Sequence, residues 1–329
     1  MDNFYFLMQQ MLYFSIPLLI VALGGMFSER SGVVNIALEG IMLFGAFFGV
    51  LFVNYLQSTF PNSLNYMSTQ QLFLLIGLLV AGVVGILFSL FHAYASINMK
   101  ANQVISGTAL NMFAPAITIF IARSMAFTNY TQQVGFKGNL FIIKRVPILG
   151  DIPFIGDILF KQVYITTYIG LLILIISYIV TYKTPFGLRL RSCGEHPQAA
   201  ASAGIDVYRM RYYGVGLSGL LGGIGGYIFI VTTSTEYNAT VAGYGFLALA
   251  VLIFGEWKPI RIFLASLFFG LMKTIASAHT GIKLLANLQI PSEFYRMIPF
   301  LATLAVLALA SKNTQGPKAA GEVYEASKR

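Results

Sequence analysis

Long apolar runs separated by short polar linkers recur along the whole of this chain. About 20 consecutive apolar residues is the length an α-helix needs to cross a bilayer. Runs of that kind predict spans near 4–27, 35–54, 72–97, 101–122, 163–182, 212–232, 243–256, 260–278 and 295–311. The expected fold is therefore an all-α polytopic membrane protein of about nine transmembrane helices. The seventh run is short and suits a half-helix. One membrane domain is expected over 1–311, followed by a polar C-terminal tail over 312–329 that reads as disordered. Gly45/Gly49, Gly219/Gly223 and Gly222/Gly226 are spaced four apart, the pattern that lets helix backbones approach closely.

The polar linkers set an orientation. The linker 55–71 carries no charged residue and 233–242 carries only Glu236. By contrast 185–210, the turn Glu256-Trp257-Lys258-Pro259-Ile260-Arg261 and the tail are basic or mixed, which places them in the cytoplasm with the N-terminus outside. Segment 123–162 runs against this scheme, because it falls outside yet carries Arg123, Lys137, Lys144, Arg145 and Lys161 against Asp151 and Asp157. Its glycines and prolines predict an ordered extracellular cap containing a re-entrant apolar turn.

Composition agrees with a lipid environment. Hydrophobic residues make up 57% of the 329 and charged residues 10%, with a mean hydropathy of +0.75. A soluble domain carries roughly 25% charged residues. The net charge of +9 lies between apolar spans, so it reflects loop bias and not nucleic-acid binding. Cys193 is the only cysteine, which excludes an internal disulfide, and His92, His196 and His279 show no metal-ligand spacing. No cofactor is expected. The first apolar segment lacks a basic leader and a cleavage site, so it reads as retained. The phosphate-loop pattern is absent, so any nucleotide hydrolysis belongs to another chain.

Three places carry candidate chemistry. Asn35 and Glu39 lie one helical turn apart at the start of the second span. A carboxyl group there suits a permeation path or an interhelical hydrogen-bond anchor. Asn111 precedes Pro115 by four residues, which frees a backbone carbonyl at mid-membrane depth; this suits a substrate site or a plain kink. Phe246 joins these three as a candidate for the solute path. The island 185–210 holds Arg189, Arg191 and Arg209, then Gly194, Glu195 and Pro197 before a small-residue helix Gln198–Ala203. Gly204 can close that helix in a left-handed conformation and Asp206 can cap the next. Such a helix suits docking in a partner's groove, or a simple cytoplasmic turn.

The stretches ERSGVVNIALEGIML (29–43), GLRLRSCGEHPQAAASAGI (187–205) and GYGFLALAVLIFGEWKP (243–259) together resemble the permease subunits of bacterial ABC importers. The branch is the one for branched-chain amino acids, simple sugars and nucleosides, and the first motif is most similar to the nucleoside subgroup associated with basic membrane lipoproteins. The resemblance implies a type II importer fold in the bacterial cell membrane. It also implies an ATP-binding subunit, a second permease that is usually a different chain, and an extracellular substrate-binding lipoprotein facing 123–162. It assigns Gly194, Glu195, Pro197, Ala199, Ala200 and Gly204 to the coupling helix that meets the ATPase; Cys193 and His196 sit where the family pattern is looser. Sugar or branched-chain amino acid import is the near alternative. An ion-coupled secondary transporter is the distant one, and the inverted repeats it predicts are not evident.

Overall fold

The computed structural model describes residues 2–125, 133–147, 149–279, 291–310 and 316–325. The elements run α1 (Asp2–Arg30), α2 (Leu38–Thr59), α3 (Met67–Ala93) with a π turn at Tyr94–Asn98, and α4 (Gln103–Met125). A cap follows with strands β1 (Val134–Gly135) and β2 (Ile142–Arg145), helix α5 (Ile155–Leu159) and strand β3 (Lys161–Tyr164). Then come α6 (Ile165–Lys183), α7 (Pro185–Glu195), α8 (Pro197–Ser202), α9 (Val207–Thr233), β4 (Glu236–Tyr237), α10 (Tyr244–Phe254), α11 (Pro259–Ala278) and α12 (Ser292–Ala310).

Among the described residues seven helices, α1, α2, α3, α4, α6, α9 and α11, are long and apolar enough to cross a membrane. The short α10 and the terminal α12 account for the other two expected spans. Helices satisfy their own backbone groups, which is why such runs fold this way in lipid. The second span's helix begins at Leu38, three residues after the expected start at 35, and 33–37 is not helical.

α1 and α9 form the core, with α2, α3, α10 and α11 packed around them. The glycine spacing works as predicted. A Cβ on Gly223 would overlap the Ala81 carbonyl of α3, one on Gly226 would overlap the Met42 carbonyl of α2, and one on Gly49 would lie 2.6 Å from the Tyr227 ring. α4 and α6, in contrast, leave broad faces uncovered, with Met112, Phe120 and Ile175 exposed.

The two ends of the bundle differ in kind. At one end an ordered cap forms, with β1 pairing antiparallel to β4 and β2 to β3. Side chains from the helices pin it: Asn54 donates to the Gly135 carbonyl at 2.7 Å, Gln71 to that of Phe141 at 3.0 Å and Gln9 to that of Asp157 at 2.7 Å. The charge anomaly of this segment is eased locally, because Arg145 pairs with Asp151 and Lys161 with Asp157. The apolar turn expected to be re-entrant lies instead on the cap surface, with Phe154 stacked against Phe4 of α1. The opposite end gathers the C-terminus of α1, the α3–α4 linker, α7 and α8, the α10–α11 turn and the strap 316–325.

The expectation of a disordered tail fails for 316–325. Small residues there reach the backbone, and Pro317, Ala319 and Tyr324 are buried against the bundle. Tail residues 312–315 and 326–329 lie outside the described residues.

Candidate functional site

The chain after α1 turns at Ser31-Gly32 and runs back into the bundle as non-helical backbone over 33–37. Irregular backbone inside a membrane protein must find its hydrogen bonds in protein, and here buried side chains supply them. Ser28 Oγ donates to the Val33 carbonyl at 2.7 Å, and the Val34 amide donates to Gln103 Oε1 at 2.7 Å. His92 Nε2 lies 3.0 Å from the Val34 carbonyl oxygen, so that nitrogen carries the proton, while Nδ1 meets Ser106 Oγ at 3.1 Å. Asn111 Nδ2 donates to the Ile36 carbonyl at 2.8 Å, and its Oδ1 accepts from the Gly40 amide at 2.7 Å. Gln103, Gly107 and Asn111 stand on successive turns of α4, a ladder of about 12 Å at 1.5 Å per residue, and the Gly107 rung leaves room for Ile36 and Ala37.

Asn35 is fully buried. Its Oδ1 accepts from the Ala37 amide at 3.1 Å and its Nδ2 donates to Ser218 Oγ of α9 at 2.9 Å. Glu39 reaches in another direction, to the start of α10. Its Oε1 accepts from the Gly243 amide at 3.0 Å and its Oε2 from the Gly245 amide at 2.6 Å. Gly243 sits at φ 75°, the left-handed region that glycine tolerates, and Ala239 and Ala242 beside it also have positive φ. A broken α2 thus meets a half-helix N-terminus, with one carboxyl group joining them. Phe246 lies on the first turn of α10, half exposed on the bundle surface.

Two of the quoted sequence motifs meet in space. Trp257 Nε1 donates to Glu29 Oε2 at 2.6 Å, and Arg30 Nη2 donates to the Trp257 carbonyl at 3.0 Å. Glu256 and Trp257 both hold positive φ, so this turn is strained and is held in place by the end of α1. The third motif touches the same place, because a Cβ on Gly194 would overlap the Arg30 carbonyl.

The island folds as two short helices at an angle. Thr184 caps α7, accepting from the Gly187 amide at 3.2 Å, and Pro197 occupies the first turn of α8. Gly204 at φ 82° ends α8, with its amide bonded to the Ala201 carbonyl at 2.9 Å and the Ile205 amide to that of Ala200 at 3.1 Å. Asp206 Oδ1 then accepts from the Arg209 amide at 3.0 Å and caps α9. Pro197 and Ala200 face the bundle, Glu195 is half exposed, and Ala199 and Gly204 face outward. A groove of about 680 Å³ lies beside them, lined by Leu188, Arg189, Gly204, Asp206, Arg209 and Tyr213.

The structure therefore brings Asn35, Glu39 and Asn111 into one network around the broken start of α2, with Phe246 at the rim. It gathers the six island residues at the far end. His92, Gln103 and Trp257 belong to these arrangements but were not singled out from the sequence. Two amide residues eight apart, Gln103 and Asn111, on one face of an apolar α4 were the available signal for Gln103.

A helical bundle interrupted inside its apolar layer, with an arginine-bearing platform at one end, belongs to the class of multi-pass membrane transport permeases. The chain is a member of the family described as branched-chain amino acid transport system / permease component, whose model matches residues 7–307. It is 41% identical over 319 residues to the guanosine ABC transporter permease protein NupQ of Bacillus subtilis, covering 97% of this chain and 96% of that one. It is also 41% identical to the nucleoside ABC transporter permease protein NupC of Lactococcus lactis subsp. cremoris, over 97% and 96% of the two chains. A putative glucose ABC transporter permease protein of Haloferax volcanii is 27% identical over 92% of this chain and 91% of its own length. No solved structure matches the chain.

Proposed function

We propose that this chain is the membrane-spanning subunit of an ATP-driven nucleoside importer, powered by a separate ATP-binding subunit. The observation that carries the solute class is the 41% identity, over nearly the full length of both chains, to two permeases named for guanosine and nucleosides. The glucose-named relative is more distant at 27%.

The island 185–210 is the cytoplasmic coupling region. Gly194, Glu195, Pro197, Ala199, Ala200 and Gly204 form the element that docks on the ATPase. The support is physical: Ala199 and Gly204 present a small-sided surface beside an open groove, and Gly194 rests directly on the end of α1. A push on α8 reaches the turn from which 33–37 re-enters the bundle. Glu39, Asn35, Asn111 and Phe246 hold the walls of the solute path near the start of α10, and the second permease is a different chain. The cap over 133–147 and 149–162, within the expected extracellular segment 123–162, faces the substrate-binding lipoprotein.

Uptake of labelled guanosine by cells expressing the chain with its ATP-binding, second permease and lipoprotein partners checks the reading. Accumulation should depend on all four chains and be competed by unlabelled nucleosides. Competition by glucose or leucine, with none by nucleosides, contradicts it.

A further inference from the structure

The strap 316–325 crosses the platform and bonds to three separate elements by its backbone. The Ala319 amide donates to the Gly194 carbonyl at 2.9 Å, at the junction of α7 and α8. Two residues on, the Gly321 amide donates to the Gly32 carbonyl at 3.2 Å, where the chain turns back into the bundle. The Glu322 carbonyl then accepts from Arg211 Nη1 of α9 at 2.9 Å. Tyr324 is buried, with the Arg211 guanidinium 5.9 Å from its ring centre and Tyr208 edge-on at 5.2 Å. Beyond it Glu325 pairs with Lys100 of the α3–α4 linker at 3.3 Å.

Arg211 is the telling residue. It is only 1% exposed, and its Nε and Nη2 have no hydrogen-bond partner among the described residues. Burying a cation is unfavourable unless acceptors and an aromatic face compensate. Here the acceptor and the facing ring both belong to the strap. The segment is thus the lid on a buried charge, not a loose end that happens to lie nearby.

A second argument is mechanical. Gly194 touches Arg30 by close packing, and such a contact resists approach but not separation, because overlap is steeply repulsive while dispersion is weak. Hydrogen bonds from one short strap to Gly194 on one side and Gly32 on the other resist separation. Alternating access needs both strokes. We propose that 316–325 is a tie that fastens the coupling region to the root of the re-entrant segment, so that withdrawal of α8 as well as its advance is transmitted to the solute path. This inference rests on the coupling role given above to α8.

The test uses the assembled four-component importer in proteoliposomes and reads the ratio of solute moved to ATP hydrolysed. One variant ends the chain after residue 315; the other is Tyr324→Ala in the full chain. Assembly and ATP hydrolysis should persist while solute moved per ATP falls about tenfold. An unchanged ratio in assembled complexes of either variant overturns the tie, and Tyr324→Ala decides alone if the shortened chain does not assemble. Ala199→Trp separates the two ideas. If it abolishes transport while the strap variants keep a normal ratio, only the tie is wrong; if it transports normally, the coupling reading itself is wrong.

Discussion

Replacing Glu39 by alanine is expected to lower nucleoside uptake per assembled complex about a hundredfold. Its two oxygens accept the Gly243 and Gly245 amides, which are donors at the start of α10 with no partner inside their own helix. Each donor orphaned away from water costs about 1–3 kcal/mol. The helix start also fits flush on α2, since a Cβ on Gly245 would overlap the Glu39 backbone. Loss of the carboxyl group therefore unfastens α10 from the broken start of α2 at the point where the path is proposed to run. Glu39→Gln keeps an oxygen acceptor but turns an amide N–H₂ toward one backbone N–H, so it should fall between wild type and alanine. Uptake initial rates, normalised to assembled complex, measure this. Wild-type rates for Glu39→Ala would mean that the α2–α10 junction has no part in transport.

The second large effect is expected at the platform. Ala199 faces outward in the isolated permease, so Ala199→Trp adds a side chain into open space and should leave membrane level and folding within the small range of surface substitutions. In the assembled importer the same bulk stands where the ATP-binding subunit is proposed to dock, and uptake should drop to background. Gly204→Val acts differently. Nothing lies near its Cβ position, but φ 82° is a conformation that a β-branched residue adopts at a cost of about 1–2 kcal/mol. It should loosen the end of α8 and reduce uptake partially. Equal, mild losses for both would argue against a docking surface there.

The spans were legible because hydropathy reports a requirement that lipid imposes on every residue of a crossing helix. The half-helix α10 was visible for the same reason, since its apolar run is too short to span. The start of α2 was not. Residues 35–37 read as the start of a helix because they open an apolar run, yet the backbone at Val34 and Ile36 is held by His92, Gln103 and Asn111, which lie far away in sequence. Local pattern cannot report a hydrogen bond whose donor sits on another helix. At Asn111 the sequence offers a backbone carbonyl freed by Pro115, whereas its amide side chain stitches α4 to α2 at both ends. Strap 316–325 was misread for a related reason. Its composition is that of a disordered tail, and the groups that seat it, Gly194, Gly32, Arg211 and Lys100, all lie far away in sequence. The caps at Gly204 and Asp206 were legible because their local roles need no distant partner; α7 was not, since an eleven-residue helix burying only Leu190, Cys193 and small residues gives too short a pattern.

A thiol at position 199 offers the most direct measurement. Ala199→Cys can be introduced into the otherwise native chain, because Cys193 is buried and burial pushes its thiol up to about 11, too high to compete for a cross-linker at neutral pH. A short bifunctional reagent applied to the transporting complex should join this chain to the ATP-binding subunit, with a yield that changes when ATP is added. Complete labelling of the cysteine in an intact, active complex, without capture of any nucleotide-hydrolysing chain, would show that this subunit is driven from somewhere else.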